Sequence, residues 1–197
     1  TQVKSIEKKT VLTVVLPVLL LWSVGAGLKS FDWTEAEGEP LNVSIIQGNI
    51  PQQDKWKLHM KKPTMTMYRE LSLQQEDADL IIWPETAVPD YWYRVQPYVR
   101  QLKNDMKQLD ADLLLGMFVK NDEQRVLNSV LNIDGDEYNK RHLVPLGEYI
   151  PLRFLIEFFN RFVKIPMSDI DSGVDEQPLI RAAGIPVGIS ICFEEAF

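Results

Sequence analysis

A run of nineteen residues without a charged side chain, from Thr10 to Leu28, constrains the fold of this chain more than any other feature. A helix of that length nearly spans the hydrocarbon core of a bilayer. Lysines are concentrated before the run and acidic residues after it, and basic flanks stay on the cytoplasmic side of a membrane. The sequence therefore predicts a cytoplasmic flank at 1–9, a transmembrane helix at 10–28, and the rest of the chain on the opposite side of the membrane.

Two other interpretations of the apolar run remain open. A signal peptide has the same basic start and apolar middle, and Gly25, Ala26 and Gly27 are small residues of the kind found near a cleavage site. A fully buried helix of a soluble core is the other alternative, although the asymmetry of the flanking charges argues against it. Because the chain starts with Thr1 rather than Met, we expect a longer protein, in which the run is an internal transmembrane helix.

Composition limits the classes of function. The chain has 197 residues, of which 45% are hydrophobic and 25% charged, as in a globular protein with one main domain. Its formal net charge of -7 argues against a nucleic-acid partner, because such proteins concentrate Lys and Arg on one face. The two histidines, His59 and His142, are too few for a metal site. We therefore expect no metal and no cofactor.

After an acidic linker at 29–40, predicted strands and helices alternate over a domain that we assign to 41–197. Apolar and β-branched runs that end at Gly or Pro predict buried strands, and longer stretches of helical composition lie between them. The predicted order is β-α-β-α-β, with strands at 41–47, 79–83 and 112–119 and helices at 63–76 and 93–109. Further strands are predicted at 125–133, 137–142, 179–182 and 187–192. This alternation is typical of an α/β fold.

The only cysteine lies at the end of the last predicted strand. In VGISICFEE, apolar side chains alternate with small ones, so that the Cys192 thiol shares a strand face with Gly188 and Ser190. A nucleophile at a sharp strand exit is exposed to substrate, and the backbone N–H that follows it points at the developing oxyanion. An inert buried thiol is the alternative that the local sequence leaves open.

Three charged residues elsewhere in the chain can assist such a nucleophile. Glu85 follows a buried strand, where active sites of α/β folds collect, and a partly buried carboxylate can accept a thiol proton. Lys140 supplies an ammonium that can stabilise an oxyanion. Glu148 can orient that ammonium or the base. Taken alone, each residue also has an ordinary interpretation as a turn or surface residue.

Together, and in this chain order, the motifs resemble the Glu-Lys-Cys catalytic set of the nitrilase, or carbon-nitrogen hydrolase, superfamily. The matching motifs are WPET with Glu85, YNKRHLVPLGEYIP with Lys140 and Glu148, and ISICFEEAF with Cys192. SIIQGNIPQQDKW and the long KRHLVPLGEYIP are similar to the apolipoprotein N-acyltransferases in particular. The resemblance covers roughly residues 10–197 and implies the first half of a nitrilase-like αββα sandwich, preceded by one transmembrane helix.

The resemblance implies a role for each matching residue. Glu85 would be the general base, Lys140 the oxyanion stabiliser and Cys192 the nucleophile. The supporting residues implied by the same match are Glu148, Glu194, Trp56 and Phe193. Phe193 departs from the pattern, since many family members have Tyr after the nucleophile. A core position for Trp56 and an exposed position for Glu194 in a first helical turn remain alternatives.

The implied reaction is the transfer of a fatty acyl chain. Cys192 would take the acyl group from a phospholipid donor as a thioester, and the N-terminal amine of a diacylglyceryl-modified apolipoprotein would accept it. Both partners are lipids, which agrees with a location in the bacterial inner membrane and a periplasmic catalytic domain. The alternatives are a carbon-nitrogen hydrolase with a soluble substrate and an inactive membrane-anchored binding module. Because the family's domain continues beyond Phe197, we expect the isolated 197 residues to be inactive.

Overall fold

A computed structural model describes residues 2–145, 147–149 and 170–197, with side chains from residue 12 onwards. The chain forms two compact units, Thr1–Pro40 and Leu41–Phe197. The first unit contains one long helix, and the second unit is an α/β domain.

Helix α1, Gln2–Leu28, makes up most of the first unit. It contains the helix predicted at 10–28 and begins eight residues earlier. Its large apolar side chains are exposed from Leu12 onwards, and the exposed fraction reaches 77% at Trp22. In the part of the chain with described side chains, no helix is long and apolar enough to cross a membrane. The predicted transmembrane span is therefore not confirmed.

The described residues of the second unit contain two α-helices, nine strands and two 3-10 helices. The α-helices are α2, Leu58–Leu73, and α3, Gln96–Leu109. The strands are β1 Val43–Ile45, β2 Leu80–Ile82, β3 Val88–Tyr91, β4 Asp112–Lys120, β5 Val126–Asn132, β6 Glu137–Asn139, β7 Ile170–Asp171, β8 Ile180–Ala182 and β9 Ile185–Val187. The 3-10 helices are Trp92–Arg94 and Cys192–Ala196.

Seven of these strands form one mixed sheet, in which β1, β2, β4, β5 and β6 lie side by side in that order. The strands β1, β2 and β4 are parallel, whereas β5 runs antiparallel to both β4 and β6. Beyond the end of β2, β3 pairs with the second half of β4. On the other side of the sheet, β6 pairs with one end of β5 and β7 pairs with its other end. The sheet therefore has one break between β2 and β3 and another between β6 and β7.

Both α-helices of this unit cover one face of the sheet. Alternate residues of β4 point to this face and are fully buried, as expected from the two-residue period of a strand. The main core on this face includes Leu113, Leu115 and Met117 of β4, Met65 and Tyr68 of α2, and Val99, Leu102 and Met106 of α3. Each such side chain contributes roughly 1.5–3 kcal/mol when it is fully buried. This packing holds the sheet in a fixed position against the two helices.

The opposite face of the sheet carries a smaller apolar cluster and the β8–β9 hairpin. The cluster consists of Leu80, Leu114, Tyr138, Ile180, Ala182 and Ile191. The hairpin turns at Ala183 and Gly184, whose φ values of 48° and 75° suit a two-residue turn between antiparallel strands. One helix-covered sheet face and one hairpin-covered face confirm the α/β class and agree with the first half of an αββα sandwich.

The elements differ from the sequence prediction in several places, of which one early helix start, one additional strand and one shortened strand matter most for the site. The helix α2 begins at Leu58, five residues before the predicted start, because Pro63 in its second turn removes only one backbone hydrogen bond. The strand β3 was not predicted, since its Pro89 and Asp90 are rare in strands. The strand predicted at 187–192 is wrong beyond Val187, because residues 188–191 have no partner strand among the described residues.

We expect Gly116→Ala to destabilise the fold. An alanine methyl group at Gly116 of β4 would lie 2.5 Å from the Pro84 carbonyl oxygen and 2.7 Å from the Glu85 Cα. Because these are backbone atoms, the turn after β2 must move, at a cost of about 1–3 kcal/mol. Gly188→Ala is the matched control, since its methyl group would meet only Leu179, at 3.9 Å. Urea denaturation followed by tryptophan fluorescence measures both, and equal free energies of unfolding would contradict the clash.

Candidate active site

The break between β2 and β3 holds Glu85. The chain turns sharply here, and Thr86 adopts a left-handed backbone conformation with φ 48°. The turn lies directly on Gly116, as the short distances to an added methyl group show. The Glu85 side chain, which is 34% exposed, reaches across β4 to Asn128 of β5. A carboxylate thus enters the sheet face opposite the helices.

The break between β6 and β7 holds Lys140. Its backbone N–H donates to the Asn128 carbonyl oxygen at 2.8 Å and extends the pairing of β6 with β5 by one residue. Its own carbonyl oxygen accepts a hydrogen bond from the Gly173 N–H. Only 1% of Lys140 is exposed. A buried ammonium is costly unless it is paired and hydrogen-bonded.

The Lys140 ammonium lies between two carboxylates. Its Nζ is 3.0 Å from the Glu148 carboxylate and 3.5 Å from Oε1 of Glu85. The Val144 backbone N–H donates to Oε2 of Glu148 at 2.9 Å, which holds that carboxylate in place. Glu85, Lys140 and Glu148, which the sequence predicts as site residues, therefore converge in the structure.

The surroundings of Lys140 keep it charged. Burial acts to lower its pKa, but the hydrogen bond to Glu148 and the charges of Glu85, Glu148 and Cys192 outweigh burial. The pKa of Lys140 is therefore raised above its ordinary value of 10.5. At neutral pH the site contains a fixed positive charge, which is suited to stabilise an oxyanion or a thiolate.

Sequence reasoning misses Asn128 of β5, which is 2% exposed. Its Nδ2 donates to Oε1 of Glu85 at 2.6 Å and to Oε1 of Glu148 at 3.1 Å. The two acceptors determine the orientation of the amide, because the flipped amide would point its oxygen at both carboxylates. The available signal was a polar pair, Asn128 and Ser129, inside a run with the pattern of a buried strand.

Cys192 begins the 3-10 helix Cys192–Ala196 with a left-handed backbone conformation, φ 55°. This conformation costs a residue with a side chain about 1–3 kcal/mol and is common at functional sites. The thiol is exposed, so the alternative in which Cys192 is buried is wrong. The strand predicted to end at Cys192 stops at Val187, but the chain does turn sharply at Cys192, and the charge of Cys192 acts on the Lys140 ammonium.

Glu194 is buried, with 8% of its surface exposed, so the alternative of an exposed helical residue is wrong. Its Oε1 accepts hydrogen bonds from the Arg141 N–H at 2.7 Å, the His142 N–H at 3.2 Å and the Tyr138 hydroxyl at 2.9 Å. Its Oε2 accepts from the Ile191 N–H at 2.9 Å. The carboxylate therefore joins the backbone after Lys140 to the backbone before the cysteine.

A cavity of about 630 Å³ opens beside the carboxylates, and Glu85, Asn128 and Glu148 line it. Trp56 also lines the cavity and stacks on Phe118, with ring centroids 5.6 Å apart. Because Trp56 is 52% exposed, its interpretation as a core residue is wrong. The volume is typical of pockets that bind small molecules or parts of lipids.

Phe193 and the two histidines make no described hydrogen bond to the Glu85, Lys140 or Glu148 side chains. Phe193 is 38% exposed and meets Phe197 edge-on, with centroids 5.4 Å apart. His142 stacks on the same Phe197 ring, and His59 is exposed. In the described ranges of the chain, no group of three or more His, Cys, Asp or Glu side chains is arranged to hold a metal ion.

The fold and the Glu-Lys-Glu cluster define a class of protein. Residues 42–197 match the family model of the carbon-nitrogen hydrolases, and the chain belongs to this family. A crystal structure of a carbon-nitrogen hydrolase from Helicobacter pylori is 16% identical with a TM-score of 0.49, over 80% of this chain and 53% of that one. An N-terminal amidase crystallised with an Asn-Glu-Ala peptide is 20% identical with a TM-score of 0.37, over 53% and 29%.

Relatives of higher identity carry a more particular name, apolipoprotein N-acyltransferase. The protein of that name from Methylococcus capsulatus is 38% identical over 84% of this chain and 34% of its own length. The one from Pseudomonas aeruginosa is 39% identical over 91% and 37%, and the one from Nitrosomonas europaea is 37% identical over 90% and 36%. The chain thus spans about a third of the length of the curated relatives it matches.

We expect Glu194→Gln to reduce stability at neutral pH by about 1–3 kcal/mol, because its amide group would face backbone N–H donors. Burial acts to raise the pKa of Glu194, but its hydrogen bonds from Arg141, Ile191, His142 and Tyr138 outweigh burial and lower it. A lowered pKa adds stability that is complete above the ordinary pKa of 4.5 and is lost as the pH falls through the lowered value.

Denaturation of the wild type and Glu194→Gln at a series of pH values measures this effect. The difference in unfolding free energy should be largest at neutral pH and shrink below pH 4.5. The exposed neighbour provides the control variant, Glu195→Gln, which should match the wild type throughout. A difference that stays constant down to the acid limit would count against a charged Glu194.

Proposed function

We propose that the chain contains the catalytic centre of an acyltransferase. It moves a fatty acyl chain from phospholipid, through a thioester on Cys192, to the N-terminal amine of a diacylglyceryl-cysteine apolipoprotein. The observation that carries the proposal is the buried Lys140 ammonium, held between Glu85 and Glu148 beside a cavity. The name shared by relatives that cover most of the chain supports the choice of substrates.

In the first half-reaction, the Cys192 sulfur attacks the ester carbonyl carbon of the donor, and Glu85 takes the thiol proton. A carbon–sulfur bond forms, and the carbonyl oxygen becomes an oxyanion that the Lys140 ammonium stabilises. The intermediate then breaks its carbon–oxygen ester bond. The lysophospholipid leaves as an alcohol with the proton that Glu85 returns, and the acyl group remains on the cysteine.

In the second half-reaction, the amine nitrogen attacks the thioester carbon and transfers a proton to Glu85. The carbon–sulfur bond breaks, and the proton returns to the cysteine, so that the enzyme is regenerated and an amide is formed. Glu148 and Glu194 act as positioning residues for the ammonium and the nucleophile. Trp56 and Phe193 supply apolar surface for the substrates.

A membrane location is part of the proposal. Both substrates are held in a bilayer, so that an enzyme anchored there finds them by diffusion in two dimensions. The uncharged run of α1 and its exposed apolar side chains support placing this helix in the inner membrane, with residues 41–197 on the periplasmic side.

The thioester is directly testable in the full-length protein. After incubation with phospholipid and protease digestion, mass spectrometry should find one acyl chain on the Cys192 peptide, removable by neutral hydroxylamine. Glu85→Gln should slow adduct formation by about 10²–10⁴-fold, the contribution of a general base. Glu76→Gln, at an exposed position, is the control and should react at the wild-type rate. A wild-type protein that never acquires the adduct would refute the mechanism.

The second substrate distinguishes acyl transfer from hydrolysis, which the family name keeps as the second candidate. If an amine is the acceptor, the adduct should accumulate without it and disappear when a diacylglyceryl-cysteine peptide is added. A hydrolase would discharge the adduct to water at the same rate with or without peptide, and would release ammonia from soluble amides without phospholipid. A wild-type protein that turns over neither type of substrate, and that binds phospholipid as well as Cys192→Ala does, would instead favour a binding module.

A further inference from the structure

Two cations that line the active-site cavity, Lys55 and Arg94, keep hydrogen-bond donors for a ligand. The Lys55 ammonium has three donors and gives one to the Glu85 backbone carbonyl oxygen at 3.0 Å. No described residue places a carboxylate at ion-pair distance from it, whereas Arg94 has Asp90 at 3.8 Å, too far for a strong hydrogen bond. Asp90 is itself paired with Lys61.

The surroundings of these cations favour an incoming anion. Burial lowers the pKa of Lys55 against the opposing effect of the Glu85 charge, so that a bound anion would offset the cost of burying the ammonium. The Arg94 guanidinium lies over the rings of Tyr91 and Tyr93, 5.2 Å and 5.4 Å from their centroids. A guanidinium held in this way presents its planar donors as a fork that matches two oxygens of a phosphate.

Three carboxylates also line the cavity, and each already has a partner other than Lys55. Asp90 pairs with Lys61 and, more distantly, with Arg94. The carboxylates of Glu85 and Glu148 are already engaged by the Lys140 ammonium and the Asn128 amide. The stacked Trp56 and Phe118 line the same cavity and offer an apolar surface. The cavity therefore combines two cations that retain hydrogen-bond donors with an aromatic wall, which suits a ligand that has a phosphate at one end and an acyl chain at the other.

We infer that Lys55 and Arg94 form a subsite for the phosphate group of the acyl donor. This inference rests on the proposed acyl transfer and extends it to donor selection. The phosphate binds by ion pairs and hydrogen bonds while the ester of the same lipid lies at Cys192. A donor without phosphate has the same reactive ester but loses these contacts.

The test compares two donors with identical acyl chains, phosphatidylglycerol and diacylglycerol, presented to the full-length protein in detergent micelles. The measured quantity is kcat/KM for acylation of Cys192. Lys55→Met should lower kcat/KM for phosphatidylglycerol about tenfold or more, and Arg94→Met about three- to tenfold because it is more exposed. For diacylglycerol the loss should be clearly smaller, so that both variants reduce the preference for phosphatidylglycerol over diacylglycerol. Lys107→Met and Arg100→Met, at exposed positions on α3, are the matched controls.

Each outcome decides the inference. An equal loss for both donors would overturn it, because Lys55 would then only hold the Glu85 backbone, and unchanged preference in Arg94→Met would overturn it as well. Inorganic phosphate should compete with phosphatidylglycerol but not with diacylglycerol. If inorganic phosphate inhibited the reactions of both donors equally, Lys55 and Arg94 would bind free phosphate rather than the phosphate of the lipid, and the inference would be overturned. Failure of both donors to acylate wild-type Cys192 would refute the proposed function itself.

Discussion

The buried ammonium of Lys140 is the interaction on which the candidate site depends. With 1% of its surface exposed, this cation is stable only because two carboxylates approach it. Glu85 and Glu148 would repel each other without it, and the Asn128 amide adds a second bridge between them. The four groups therefore require one another. Removing Lys140 would leave the Glu148 carboxylate, which is largely buried, without its cation, and this costs far more than breaking a pair of surface charges.

The sheet brings these groups together through its two interruptions. If β2 continued into β3 beside β4, strand residues would occupy the space of the Glu85 turn. If β6 continued into β7 beside β5, strand residues would occupy the space of Lys140. The two breaks lie on opposite sides of the β4–β5 pair, and Asn128 of β5 lies between them. Because Asn128 lies on a strand that packs against the helices, and Glu85 and Lys140 lie at the breaks on either side of it, their separation is determined by the framework of the sheet.

The sequence predicts features that depend on neighbouring residues better than features that depend on contacts between distant parts of the chain. Local patterns predicted the α/β order, and ordered motifs predicted that Glu85, Lys140 and Glu148 act together. The strand β3 escaped because its pairing with β4 overrides the low strand propensity of Pro89 and Asp90. Asn128 escaped because a strand pattern gives the face of a residue but not its partners in distant loops, which lie 43 and 20 positions away.

Glu194 explains how Cys192, which lies on a separate segment, keeps a fixed position relative to the Lys140 backbone. Its two oxygens accept backbone N–H groups from Arg141, directly after Lys140, and from Ile191, directly before Cys192. The hydrogen bonds that lower its pKa keep Glu194 ionised at neutral pH, so this link persists there. A short left-handed turn then needs to orient only one residue, Cys192. The left-handed backbone of Cys192 is strained, and the hydrogen bonds of the buried Glu194 carboxylate two residues later offset the cost of that strain.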